Sequence, residues 1–156
     1  MAEMEKSIEV NAPLREVYNQ WTQFEDFPRF MEGVEEVRQI DDKHLYWRAK
    51  IGGVEREWHA EIVDQVPDQR IAWRGLTGVA PSGAVLFRAL GADRTEVTLR
   101  IRYDPEGVTE KVGDLLGVLS ARVQGDLKRF KEYMEERRQA TGAWRGEIHG
   151  DDVERR

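Results

Sequence analysis

The chain has 156 residues, 24 Lys and Arg against 30 Asp and Glu, and a formal net charge of −6. That length fits one domain burying roughly 70% of its unfolded surface, and the acidic balance argues against nucleic-acid binding, which needs a basic footprint. With 5 Trp, 4 Tyr and 5 Phe the chain is too rich in apolar anchors for disorder, and with no Cys it holds no disulfide, thiolate metal site or Cys nucleophile.

The opening segment, MAEMEKS, has no apolar stretch of the kind a secretory signal needs. No apolar run approaches the roughly 18 residues of a membrane span. Together with the missing Cys, this reads as a cytoplasmic protein.

Glu3 to Val10 predicts a first strand, with Met4, Lys6, Ile8 and Val10 on one face. Asn11-Ala12-Pro13 predicts a helix start, because Asn is a good cap and Pro is tolerated in the first turn. Leu14, Val17, Tyr18 and Trp21 follow at helical spacing. Pro28 breaks any long helix through Phe24 to Met31, leaving a short helix or an aromatic-rich loop.

From Val34 the period becomes two. Strands are predicted over Val34 to Ile40, His44 to Ile51, Val54 to Val66, Arg70 to Gly75, Ser82 to Ala89 and Arg94 to Tyr103. Asp41-Asp42-Lys43, Gly52-Gly53 and Pro67-Asp68-Gln69 supply turns. A long amphipathic helix starts near Val108 or Thr109, with Val112, Leu115, Leu116, Leu119, Val123, Leu127, Phe130 and Met134 as its apolar stripe. From Thr141 the chain turns polar and Gly-rich, which reads as a mobile tail. Trp144 is odd there and reads as a docking residue, on its own domain or on a neighbouring subunit. The expected organisation is a domain over residues 1–140 and a tail over 141–156. Consecutive strands with short turns imply an antiparallel meander, which the long helix must cover. The fold class is α+β.

Three histidines, His44, His59 and His149, have no ligand spacing, so no metal is expected. Ser7, Ser82 and Ser120 match no nucleophile elbow, and Gly75, Gly78 and Gly83 match no phosphate-binding loop. No cofactor is expected. Strand parity is more informative. Trp47, Trp58, Trp73, Phe87 and Tyr103 all fall on one face, as plain core or as a cavity wall. Arg56 shares that face, and a lone guanidinium in a dry interior costs several kcal/mol unless paired. It pairs with an inward acid such as Asp64, sits at a wet mouth, or meets a polar ligand group. Gly113 and Gly117 lie one turn apart on the long helix, marking a bent first half or a segment that flexes to admit a ligand. Phe24, Phe27, Phe30 and Met31 form either a lid or a small core plugging one end.

Five stretches carry a family resemblance: IEVNAPLREVYNQWTQFEDFPRFMEGVEEV, YWRAKIGGVEREWHAEIVDQVPDQRIAWRG, SGAVLFRA, TEVTLRIRYDP and DLKRFKEYMEER. The chain resembles the START-like, or SRPBCC, superfamily, and most closely its bacterial polyketide cyclase/dehydrase-type branch, over about Glu3 to Arg138. One departure is Gly75-Leu76-Thr77-Gly78 after Arg74, where that branch leads us to expect a Ser. The resemblance implies a helix-grip fold, a curved antiparallel sheet of about seven strands around a long C-terminal helix with a cavity between them. It tips the inner aromatics towards a cavity wall. The expected ligand-binding residues are then Trp47, Arg56, Trp58, Trp73, Phe87, Tyr103, Leu116 and Leu119, with Phe27, Phe30 and Met31 from the facing segment. The implied partner is a small hydrophobic or amphipathic molecule such as a lipid, a polyketide or a quinone. The rival expectations are a metal-free cyclase/dehydrase-type enzyme using Arg56 and Tyr103, and a partner-binding module with a filled core. The sequence does not define the oligomeric state.

Overall fold

The computed structural model describes residues 2–51, 53–76, 81–103 and 112–155. The side chains of Ala2, Ile51, Tyr103 and residues 112–120 are outside that description. Strand β1 (Ala2–Val10) leads through α1 (Leu14–Trp21) and a 3₁₀ helix (Phe24–Arg29) to a meander. The meander comprises β2 (Val34–Gln39), β3 (His44–Ile51), β4 (Val54–Val66), β5 (Arg70–Gly75), β6 (Ser82–Gly91) and β7 (Arg94–Tyr103). Helix α2 (Val112–Arg137) follows, then β8 (Glu147–His149) and β9 (Asp152–Glu154). The spatial order is β1-β7-β6-β5-β4-β3-β2, antiparallel throughout. This is the α+β helix grip that the alternation and the long helix imply. The expected start of α2 near Val108 falls outside the described residues.

The period-two pattern places Leu45, Ala49, Ile71, Val85, Val97 and Leu99 in the core, facing Val123, Leu127, Phe130 and Met134 of α2. That burial of apolar surface is the main stabilising contribution of the grip. Helix α1 begins otherwise than expected. Pro13 occupies the cap position with no side-chain hydrogen bond. Asn11 instead donates its N–H to the Glu135 carboxylate at 2.8 Å, tying the end of β1 to α2. Helix α2 ends at Arg137, and the next residue, Arg138, closes it with a φ of 61° and an N–H that donates to the Met134 carbonyl at 2.6 Å.

Two features depart from the sequence reading. A bulge between Ile62 and Asp64 shifts the pairing of β4 with β5 by one residue. Because side chains alternate faces, one extra residue turns the rest of the strand over. Gln65 is therefore buried and donates to the Tyr18 hydroxyl at 3.0 Å. Asp64 points the other way and pairs with Arg70 and, at 3.5 Å, with His149. The inward Asp64 proposed as a partner for Arg56 is thus excluded. Nor is the C-terminal segment a mobile tail. Strands β8 and β9 form a hairpin, and β8 pairs with β4 through Asp64↔His149 and Gln65↔Ile148. Arg145 donates to Asn19 at 2.6 Å and Asp68 at 2.7 Å, the Trp144 N–H donates to the Thr22 hydroxyl, and Ile148 is fully buried. Among the described residues, no helix is long and apolar enough to cross a membrane.

Candidate functional site

Between the inner face of the sheet, the 3₁₀ helix and α2 lies a cavity of about 140 Å³. The sheet contributes Leu45, Trp47 and Ala49 from β3, Trp58 and Ile62 from β4, Ile71 and Trp73 from β5, and Leu99 and Ile101 from β7. Trp21, Phe24, Phe27, Met31 and Val34 close one side, and Arg122, Val123, Asp126 and Leu127 of α2 close another.

Local structure explains the aromatic wall. Trp47 and Trp58 are directly opposed in the β3–β4 ladder, and their rings stack at 5.7 Å and 8°. Phe27 reaches across to Trp47 at 5.6 Å. Pro28 keeps the segment to a short 3₁₀ turn, which puts Phe24, Phe27 and Phe30 on the core side within a few residues. Tilted contacts join this group to Trp21, and an edge-to-face contact joins it to Phe130. Such pairs each add about 0.5–1.5 kcal/mol beyond area burial.

Of the residues expected in a ligand site, Trp47, Trp58, Trp73, Phe27 and Met31 meet at this cavity. Phe30 and Phe87 are placed in the packed core instead. Phe30 contacts Trp21, Phe27, Phe130 and Tyr133, and Phe87 lies edge-on to Tyr18 at 5.2 Å. Arg56 is exposed, opposite Ala49 where β4 runs out past the cover. Its charge is therefore held in water and not in a dry interior. The side chains of Tyr103, Leu116 and Leu119 lie outside the described residues.

The polar corner of the cavity was not foreseen. Arg122 and Asp126 sit one helical turn apart, next to the apolar stripe of Val123 and Leu127. Asp126 Oδ1 accepts from the Glu32 N–H at 3.1 Å and from Arg129 Nη2 at 2.5 Å. Burial nevertheless outweighs these donors and raises its pKa above the usual carboxylate value. The signal available in the sequence was spacing: Arg122, Asp126 and Arg129 are at i, i+4 and i+7, a charged row beside an apolar one. The histidines stand elsewhere: His44 beside Asp41 and Glu61, His59 against Tyr46, and His149 beside Asp64 and Glu147. Among the described residues, no group of three or more His, Asp or Glu could hold a metal.

This arrangement can be set beside known proteins. The chain is 48% identical over 149 residues to an uncharacterised 17.2 kDa protein from the melC2-rnhH intergenic region of Streptomyces lincolnensis. That match spans 95% of this chain and 99% of the relative. The fold superposes on a Streptomyces aromatase/cyclase with a TM-score of 0.78 at 18% identity, over 91% of this chain and 98% of that one. It superposes on a START superfamily protein from Mycobacterium smegmatis with a TM-score of 0.72 at 14% identity, over 86% and 97%. At those identities the likeness is one of fold. Residues 10–132 match the family described as polyketide cyclase / dehydrase and lipid transport, and the chain belongs to that family.

Proposed function

We propose that this protein binds one small hydrophobic or amphipathic molecule in the cavity between the sheet and α2. The observation that carries the reading is the composition of the wall: an almost continuous aromatic and aliphatic surface with one charged corner. The cavity, about 140 Å³, is smaller than the few hundred Å³ the sequence led us to expect. A dry apolar void of about 150 Å³ accepts benzene, so this cavity encloses one ring as it stands and, being open to solvent, takes a second only at its mouth. An aromatic body burying roughly 150–250 Å² gains about 4–6 kcal/mol at about 25 cal/mol per Å². The cost of association takes up much of that gain. A useful affinity therefore needs the polar corner as well.

A second reading, a cyclase-type enzyme, is favoured by Asp126. A carboxyl on the cavity wall with a raised pKa holds and releases a proton nearer neutral pH than an ordinary Asp does.

Native mass spectrometry of protein purified from its own host tests binding. We expect a discrete added mass that is lost on solvent extraction. Recovery of that molecule unaltered after incubation supports a carrier, and a changed mass supports an enzyme. Bare protein only, with no tryptophan fluorescence response to naphthalene, would overturn the reading in favour of a partner-binding module.

A further inference from the structure

The charged row of α2 grips the backbone of the loop that follows the 3₁₀ helix. Arg129 Nε donates to the Phe30 carbonyl at 2.9 Å, and Asp126 accepts from the Glu32 N–H. Arg122 Nη1 donates to the Glu32 carbonyl at 2.7 Å and to the Lys50 carbonyl of β3 at 3.1 Å. Arg122 thus bridges helix, loop and sheet at the edge of the cavity.

The two polar wall residues are not equivalent. Asp126 Oδ1 already accepts from two donors, and its charge is met by Arg129. Arg122 holds its two carbonyls through Nη1 alone, and Nε and Nη2 take no part in those bonds. Among the described residues, the remaining acid at this corner is Glu32, which pairs with Arg129 at 3.4 Å and is 76% exposed. The two guanidiniums and two carboxylates of the corner match in number, and what sets Arg122 apart is that its Nε and Nη2 take no part in its two carbonyl bonds. A guanidinium pinned by two carbonyls is already ordered, so little conformational freedom is lost when its other N–H groups engage an oxyanion. Its planar fork matches a carboxylate, and charge-assisted bonds of this kind are the strong ones. Trp47, Trp58 and Trp73 supply flat apolar contact on the sheet side of the same cavity.

We propose that Arg122 is the specificity residue of the cavity, selecting molecules that carry a carboxylate on a small aromatic body. This rests on the ligand-binding reading above. The test is a tryptophan-fluorescence titration with 2-naphthoate and naphthalene, two bodies of the same ring size. The wild-type protein should bind 2-naphthoate at least tenfold tighter than naphthalene. R122Q should lose that preference, the ratio of 2-naphthoate to naphthalene affinity falling to about one whatever its absolute affinity for naphthalene. If R122Q does not fold, R122K serves: it keeps the charge, loses the fork, and should reduce the preference at least threefold. Equal or weaker binding of 2-naphthoate by the wild type overturns the inference and leaves the cavity reading standing. So does a preference that survives in R122Q, or that is unchanged in R122K. Binding of neither probe overturns both.

Discussion

At Gly33 the backbone φ is 86°, and an added Cβ would lie 1.6 Å from Arg122 Nη1 and 2.7 Å from the Lys50 carbonyl oxygen. The glycine is what lets the Arg122 guanidinium reach both backbone carbonyls. Gly33→Ala combines an unfavourable left-handed conformation with a blocked guanidinium, so it should cost about 1–3 kcal/mol in urea unfolding. A loss below about 0.5 kcal/mol would mean that the Arg122 bridge contributes little. Asp126 behaves differently because burial raises its pKa. A carboxyl with a raised folded-state pKa contributes stability that is fully present below its unfolded pKa and fades as pH rises through the folded one. Asp126→Asn keeps an acceptor for the Glu32 N–H and removes the buried charge. It should stay within about 1 kcal/mol of wild type at pH 7, and wild type should gain on it as pH falls through the raised folded-state pKa to the usual carboxylate range, below which the gain is complete. A loss of several kcal/mol at pH 7 would show that the ion pair with Arg129 outweighs burial.

Three short elements decide how the large ones meet. The loop after the 3₁₀ helix is held by the charged row of α2, so the aromatic segment and the helix form one wall of the cavity. The bulge in β4 turns Gln65 inward to the Tyr18 hydroxyl. Beside it, the C-terminal hairpin extends the sheet along β4 and fastens α1 through Arg145, whose guanidinium also lies 5.4 Å from the centre of the Tyr18 ring. Ile148 is the buried anchor of that hairpin. Truncation to Ala removes a well-packed aliphatic side chain, and Ile148→Ala should lower unfolding free energy by about 2–5 kcal/mol. Hydrogen exchange at residues 147–149 should accelerate in parallel. If both measurements stay at wild-type values, the hairpin is an appendage and not part of the cooperative fold.

For the whole molecule, the buried tyrosine limits tolerance of alkali. Tyr18 is fully buried, and burial pushes its pKa up to about 12 from 10.0, partly opposed by the Gln65 hydrogen bond and by Arg145. In the unfolded chain the phenol ionises near 10, so the folded state loses stability between about pH 10 and 12. The loss attributable to this group is on the order of 2 kcal/mol. Tyr18→Phe should therefore be the less stable protein at pH 8, where it forfeits the Gln65 bond, and should close that gap by pH 12. Denaturant titrations of the two proteins across this range measure it. A difference that stays constant with pH would show that Tyr18 does not carry the alkaline limb.

The alternation of polar and apolar residues determined by itself which strands form and which way Trp47, Trp58 and Trp73 face, because side-chain direction in a strand depends only on local parity. The apolar stripe on α2 likewise required a sheet to cover, and those two facts imply a grip. Parity holds only while the ladder is regular, however. The bulge before Asp64 comes from pairing with β5, and no residue in β4 announces it. How far β4 projects past its cover depends on where neighbouring elements end, so parity alone left open whether Arg56 met an inward acid, a ligand or water, and it is exposed. Strands β8 and β9 have three residues each, too short for any period to show, and they form because β4 presents an unpaired edge to them. The corner built by Arg122 and Asp126 was hidden for a related reason. Its partners are backbone groups of Glu32 and Lys50, distant in sequence and without side-chain identity, and only the packing of α2 against that loop brings them within hydrogen-bonding reach.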